Sequence, residues 1–142
     1  MSDYARLSAH LVLLHGAVNT GALLAGRRAL LFDCGDTVTP ERLTALGIET
    51  VDLILGTQYR RANTAGAYSF LEGGTRLVAP LAERPLFEDL AAYWNAWGNR
   101  WHIYHHQPGP QVPARPLPVW RAVQDGEVIE WQGYRITVLA TP

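Results

Sequence analysis

Val51-Asp52-Leu53-Ile54-Leu55-Gly56-Thr57-Gln58-Tyr59-Arg60-Arg61-Ala62-Asn63-Thr64-Ala65-Gly66-Ala67 is the stretch on which the fold turns. It opens with a short apolar run, Val51 to Leu55, of strand length and content. Gly56 breaks the run, a polar loop reaches Asn63, and Thr64 is placed to cap a short helix ending at Phe70 or Leu71. Just upstream, Thr39 is an N-cap with Pro40 in the first helical position, and Gly47 stops the helix after Leu46. Ahead of that helix lies Ala29-Leu30-Leu31-Phe32, apolar at every position and so a central strand covered on both faces. A strand, a short helix and a strand in this order imply a right-handed crossover and parallel pairing.

Further out, His10–Leu14 and Ala22–Ala25 are two more strands. Gly16 and the tight Gly26-Arg27-Arg28 connection join them to Ala29–Phe32 as an antiparallel meander. Arg76–Ala79 is a strand ended by Pro80. Leu86, Leu90, Tyr93, Trp94 and Trp97 fall on one face of a helix running to about Trp97. The proline-rich stretch from Pro108 to Pro118 is a loop. Val128–Trp131 and Tyr134–Leu139 form a hairpin around Gln132-Gly133. The fold class is α/β.

The 142 residues are enough for one domain with a real core, spanning 1–142. A hydrophobic fraction of 48%, a charged fraction of 18% and a net charge of −1 exclude a disordered chain. They also give no electrostatic case for nucleic acid or an anionic membrane as partner. All 12 basic residues are arginine, scattered rather than clustered. The single cysteine, Cys34, excludes an internal disulfide and a Cys-rich zinc ribbon. The N-terminus lacks the basic-then-apolar order of a signal peptide, and no apolar run approaches the roughly 18 residues of a membrane span. The expectation is a cytoplasmic protein.

The order of strands, Asp33-Cys34-Gly35, helix, strand, Gly56-Thr57, loop and Thr64-Ala65-Gly66-Ala67 resembles the metallo-β-lactamase superfamily, from about Leu11 to the last residue. In that family an early strand ends in Asp-x-Gly, and a later one ends in Thr-His-x-His-x-Asp-His, which opens the metal site. The segment Asp125–Leu139 looks like the lead into Thr-Pro-Gly-His, of which Thr141-Pro142 is present. The resemblance implies the αββα sandwich, with the first sheet and the start of the second, incomplete at the C-terminal end. It also implies zinc chemistry, in which imidazole and carboxylate ligands hold a metal that turns water into a hydroxide nucleophile. At the four ligand positions of the first metal motif, however, this chain has Gln58, Arg60, Ala62 and Asn63. Arginine is a permanent cation, alanine has nothing to donate, and the two amides are weak neutral ligands. The expectation is therefore a degenerate metal site with no catalytic residue and no cofactor.

The resemblance places Asp33 on the floor of the same site. Arg60 is expected to turn inward and pair with it, since a buried charge left unpaired is costly. Alternatively Arg60 and Arg61, with Thr64 opening the helix, form an electropositive pocket for a small anion, or both arginines simply point into solvent. Cys34 reads as a small buried thiol. His102, His105 and His106 are the only clustered histidines and the one alternative zinc site. Trp94, Trp97 and Trp101 form an aromatic stripe that reads as core or interface packing. Three functional classes follow: a non-hydrolytic homologue acting by binding or assembly, a metal-dependent hydrolase with an atypical zinc site, and a truncated product without activity of its own. An incomplete second layer leaves an open strand edge, so self-association or a protein partner is expected.

Overall fold

The structure, a computed structural model, describes residues 3–89 and 115–141. Its main body is a seven-stranded sheet in strict chain order. The strands are β1 (Tyr4–Arg6), β2 (Leu11–Leu14), β3 (Thr20–Ala25), β4 (Arg28–Phe32), β5 (Thr50–Leu55), β6 (Arg76–Pro80) and β7 (Arg121–Val123). The first four pair antiparallel as the expected meander, and β4 through β7 pair parallel. The crossover from β4 to β5 carries α1 (Pro40–Ala45), where Thr39 Oγ1 accepts the Arg42 amide at 3.2 Å and Pro40 fills the first turn.

Alternation along each strand sorts the side chains onto two faces. Ala29, Leu31, Ile54, Leu77 and Ala79 point to one face. There they pack with Val38 from the loop before α1 and with Leu43, Ala67, Phe70 and Phe87 from the helices. Leu30, Leu53, Leu55, Val78 and Val123 point to the other face, against Ile129 and Trp131. Strand β4 lies fourth of seven and is apolar on both sides, which is why its run of sequence shows no polar alternation. The second face is covered by β8 (Val128–Trp131) and β9 (Tyr134–Thr137), a two-stranded antiparallel sheet. Gln132 and Gly133 both take positive φ (50° and 83°), the geometry that a two-residue hairpin turn demands.

Several boundaries differ from the sequence reading. Strands β1 and β7, each of three residues at a sheet edge, carry too little apolar pattern to be read in advance. The helix begun near Leu86 is α4 (Arg84–Glu88), and it ends because Asp89 is extended (φ −134°, ψ 95°). Its core residue is Phe87, fully buried, not Leu86. The remainder of that expected helix, with Tyr93, Trp94, Trp97 and Trp101, lies outside the described residues, as do His102, His105 and His106. Thr64 does not open a helix. It is the last residue of α2 (Arg61–Thr64), and its buried hydroxyl donates back to the carbonyls of Arg60 (3.3 Å) and Arg61 (3.4 Å). The following helix, α3 (Ala67–Glu72), starts after Gly66. Among the described residues no helix is long and apolar enough to cross a membrane.

Candidate functional site

Parallel pairing aligns the C-terminal ends of β4 and β5, so the turn after Phe32 faces the loop after Leu55. Asp33 stands at that turn, buried and at φ +63°, and its amide donates to the Leu55 carbonyl at 2.8 Å. Its carboxylate gathers the loop. Oδ1 accepts the Thr57 amide at 2.8 Å, and Oδ2 accepts the Thr57 hydroxyl at 2.7 Å and the Asn63 side-chain amide at 3.0 Å. Backbone bonds complete the closure: Cys34 N–H donates to the Asn63 carbonyl (2.9 Å), and Gly66 N–H to the Cys34 carbonyl (3.0 Å). On the outer side the Tyr59 amide donates to Glu83 Oε1 at 3.0 Å.

The expected Arg60–Asp33 pair does not form. Arg60 is exposed, and the acceptor sites of Asp33 are taken by Thr57 and Asn63. The physical reason is local. Arg60 immediately precedes α2, its carbonyl accepting the Asn63 amide, so its side chain starts on the outside of the turn. Asn63, one turn on, faces inward with a neutral amide that loses far less hydration on burial than a guanidinium does. Arg61 is half-buried. Of the sequence-derived site residues, the structure thus brings Asp33 and Asn63 into direct contact and buries Thr64 on its own turn, while Arg60 stays outside.

Zinc, the metal this loop resembles a site for, does not fit the donor set. Gln58 is half-buried, Arg60 is an exposed cation, Ala62 offers no donor atom, and Asn63 gives its amide nitrogen to Asp33. Among the described residues no three His, Cys, Asp or Glu side chains come together as a metal-holding group. Cys34 is fully buried, and burial, aided by the neighbouring Asp33 charge, pushes its thiol up to about 12.

Two participants escaped the sequence reading. Thr57 is the principal donor to Asp33, a role hidden because the two lie far apart in sequence. Gly66 is the point of closest approach, since a Cβ there would lie 2.2 Å from the Gly35 carbonyl oxygen. The signal for both was the short Thr57 to Gly66 spacing after a buried strand, which forces the loop back onto the strand ends. Beside this loop a groove of about 660 Å3 runs between the sheet and the hairpin, lined by Phe32, Leu55, Val78, Ile129, Ile136 and Val138.

Comparison with solved structures defines the class of this arrangement: it is the metallo-β-lactamase fold. The chain is similar to a subclass B3 metallo-β-lactamase of Bradyrhizobium japonicum at 20% identity and a TM-score of 0.73, over 99% of this chain and 52% of that one. It is similar to a metallo-β-lactamase from Novosphingobium pentaromativorans at 17% identity and a TM-score of 0.75, over 98% and 50%. A Cronobacter sakazakii metallo-β-lactamase with an HARLDQ motif matches at 16% identity and a TM-score of 0.66, over 97% and 49%. The chain spans about half the length of the solved structures it matches. Neither protein-family models nor curated proteins give a match.

Proposed function

We propose that this chain is a non-hydrolytic form of the metallo-β-lactamase fold that acts by binding or assembly, in the cytoplasm. The observation that carries the reading is the Asn63–Asp33 hydrogen bond. A side chain at a metal-ligand position is turned onto a carboxylate that already holds Thr57, so the loop is shaped by hydrogen bonds and needs no ion.

One observation favours a second reading, a hydrolase with an atypical zinc site. The HARLDQ motif of the Cronobacter relative also has arginine third and an amide last, and that protein is a metallo-β-lactamase. Set without a gap against Gln58-Tyr59-Arg60-Arg61-Ala62-Asn63, the motif matches Arg60 and is close at Asn63. The decision therefore falls on Gln58 and Ala62, which stand where that motif has histidine and aspartate. Both replacements remove a ligand type, so the first reading prevails.

Metal analysis of protein purified from zinc-supplemented culture tests it. The expected result is well below one zinc per chain and a melting temperature unmoved by chelator. One zinc per chain overturns the reading. If that zinc is lost when His102, His105 and His106 are changed together to alanine, the second reading replaces the first.

A further inference from the structure

We propose that a hollow at the N-terminal ends of β4, β5 and β6 is a binding site for the phosphate group of a small organic phosphate. It gives the binding part of the function above a ligand, at the opposite end of the strands from the Asp33 loop. The hollow, about 600 Å3, is lined by Arg28, Asp52, Arg76, Trp131 and Gln132 among others. No residue beyond Gln132 lines it, so it owes nothing to where the chain ends.

Strand register brings the charges there. Arg28 opens β4 opposite Thr50, and Arg76 opens β6 opposite Leu53. Between them the β4–β5 pairing passes over one residue, Asp52. An extra residue of this kind takes its side chain out of the regular alternation and re-aims it. Both carboxylate oxygens of Asp52 are engaged: Oδ1 accepts Arg28 at 2.6 Å, and Oδ2 accepts the Trp131 indole N–H at 2.9 Å.

The surplus of donors around the hollow selects an anion as its occupant. The Thr75 hydroxyl donates to the Val51 carbonyl at 2.7 Å, and the amides of Gly73, Gly74 and Thr75 donate to carbonyls of α3. Those groups are spent within the fold. Arg28 uses one guanidinium nitrogen on Asp52. Arg76 meets no carboxylate or carbonyl among the described residues; its guanidinium lies over the half-exposed Trp120 ring, 4.9 Å from the centroid. Stacking holds a guanidinium in place and leaves its N–H edge open. Two cations thus share the hollow with one carboxylate. A phosphate presents three oxygens and suits two guanidinium forks, whereas a carboxylate is satisfied by one. The volume falls within the roughly 300–1,000 Å3 of small-molecule sites, room for an organic body on the phosphate.

Titration of the full chain with phenyl phosphate at constant ionic strength, followed by amide and indole NMR resonances, tests the site. The expected result is saturation with a Kd of about 1 mM or tighter, the shifts concentrated at the Trp131 indole N–H, Arg76 and Gln132. Benzoate and inorganic phosphate are each expected to bind more weakly, benzoate by at least tenfold. Arg76→Gln is expected to weaken phenyl phosphate at least tenfold. Arg6→Gln, at an exposed arginine on the far edge strand β1, is expected to leave it within twofold. No saturation by about 10 mM, shifts centred elsewhere, either control ligand binding as tightly, or equal losses in the two variants overturns the proposal. The wild-type shifts decide even if Arg76→Gln fails to fold. The zinc analysis reads the Asp33 loop and not this hollow, so failure of the site and failure of the loop reading are separate results.

Discussion

Asp33 occupies a left-handed backbone conformation that a non-glycine residue adopts only where surrounding contacts hold it there. Those contacts are Thr57 and Asn63, and removing the carboxylate takes the acceptor from three donors, of which the Asn63 amide is the buried one. Asp33→Ala is expected to cost about 1–3 kcal/mol, as for loss of charge-assisted bonds with one buried partner left unpaired. Asn63→Ala costs less, and in a double-mutant cycle with Asp33→Ala the two couple by about 1 kcal/mol or more. Chemical denaturation checks both values, and simple additivity removes the latch. Arg60→Ala, by contrast, stays within about 0.5 kcal/mol of wild type, as exposed positions do. Cys34 yields a prediction in the opposite pH direction from a salt-bridged acid. Its thiol is held at about 12 in the folded state against an ordinary 9.0, so the unfolded chain releases the proton first. Its share of stability is complete below pH 9 and is lost as the pH climbs from there towards 12. Melting curves of wild type and Cys34→Ala between pH 8 and 11 are expected to converge as pH rises; parallel curves rule the effect out.

At the level of elements, local signals were legible wherever the chain punctuates itself. Thr39-Pro40 with Gly47 gave α1, and Gln132-Gly133 gave the hairpin, because capping and positive-φ turns depend on a few neighbouring residues. The parallel crossover and the central place of β4 were also legible, since a strand covered on both faces leaves an unbroken apolar run. What sequence did not give is whatever depends on distant partners. Short edge strands such as β1 and β7 exist through pairing with a neighbour rather than through pattern. The direction of Arg60 depends on where Asn63 lies relative to Asp33, a relation fixed only once β4 and β5 pair. The loop also shows how one glycine joins two elements. Gly66 has ordinary negative φ, so backbone freedom does not require it; contact does, with a Cβ reaching 2.2 Å from the Gly35 oxygen. Gly66→Ala is expected to destabilise by about 1–3 kcal/mol, the usual penalty of overpacking, through separation of the loop from the strand ends. Thermal unfolding checks this, and an unchanged melting temperature refutes the close packing there.

Across the whole molecule the two faces of the sheet are unequally protected. One is sealed by helices that contribute Leu43, Ala67, Phe70 and Phe87, with Val38 from the loop before α1. Among the described residues the other is covered by the hairpin, which contributes Ile129 and Trp131 as its buried side chains. Beyond that packing, polar bonds tie the hairpin to the sheet, among them Arg121 to the Val128 carbonyl at 3.4 Å. Trp131 Nε1 donates to Asp52 at 2.9 Å, the same carboxylate that Arg28 holds at 2.6 Å, and the Tyr134 hydroxyl donates to the Leu24 carbonyl at 3.1 Å. A layer with little buried area and an open groove beside it opens more readily than the strands it covers. Native-state hydrogen exchange in dilute solution is therefore expected to separate two units. Amides within the β8–β9 ladder, such as those of Ile129 and Ile136, exchange through a partial opening, while those of β4 and β5 exchange only with global unfolding. Asp52→Ala unties Trp131 and leaves Arg28 without its partner, so it is expected to raise hairpin exchange several-fold more than exchange in β4. If both units keep the same opening free energy in low denaturant, and Asp52→Ala moves them together, the hairpin and the sheet form one cooperative whole.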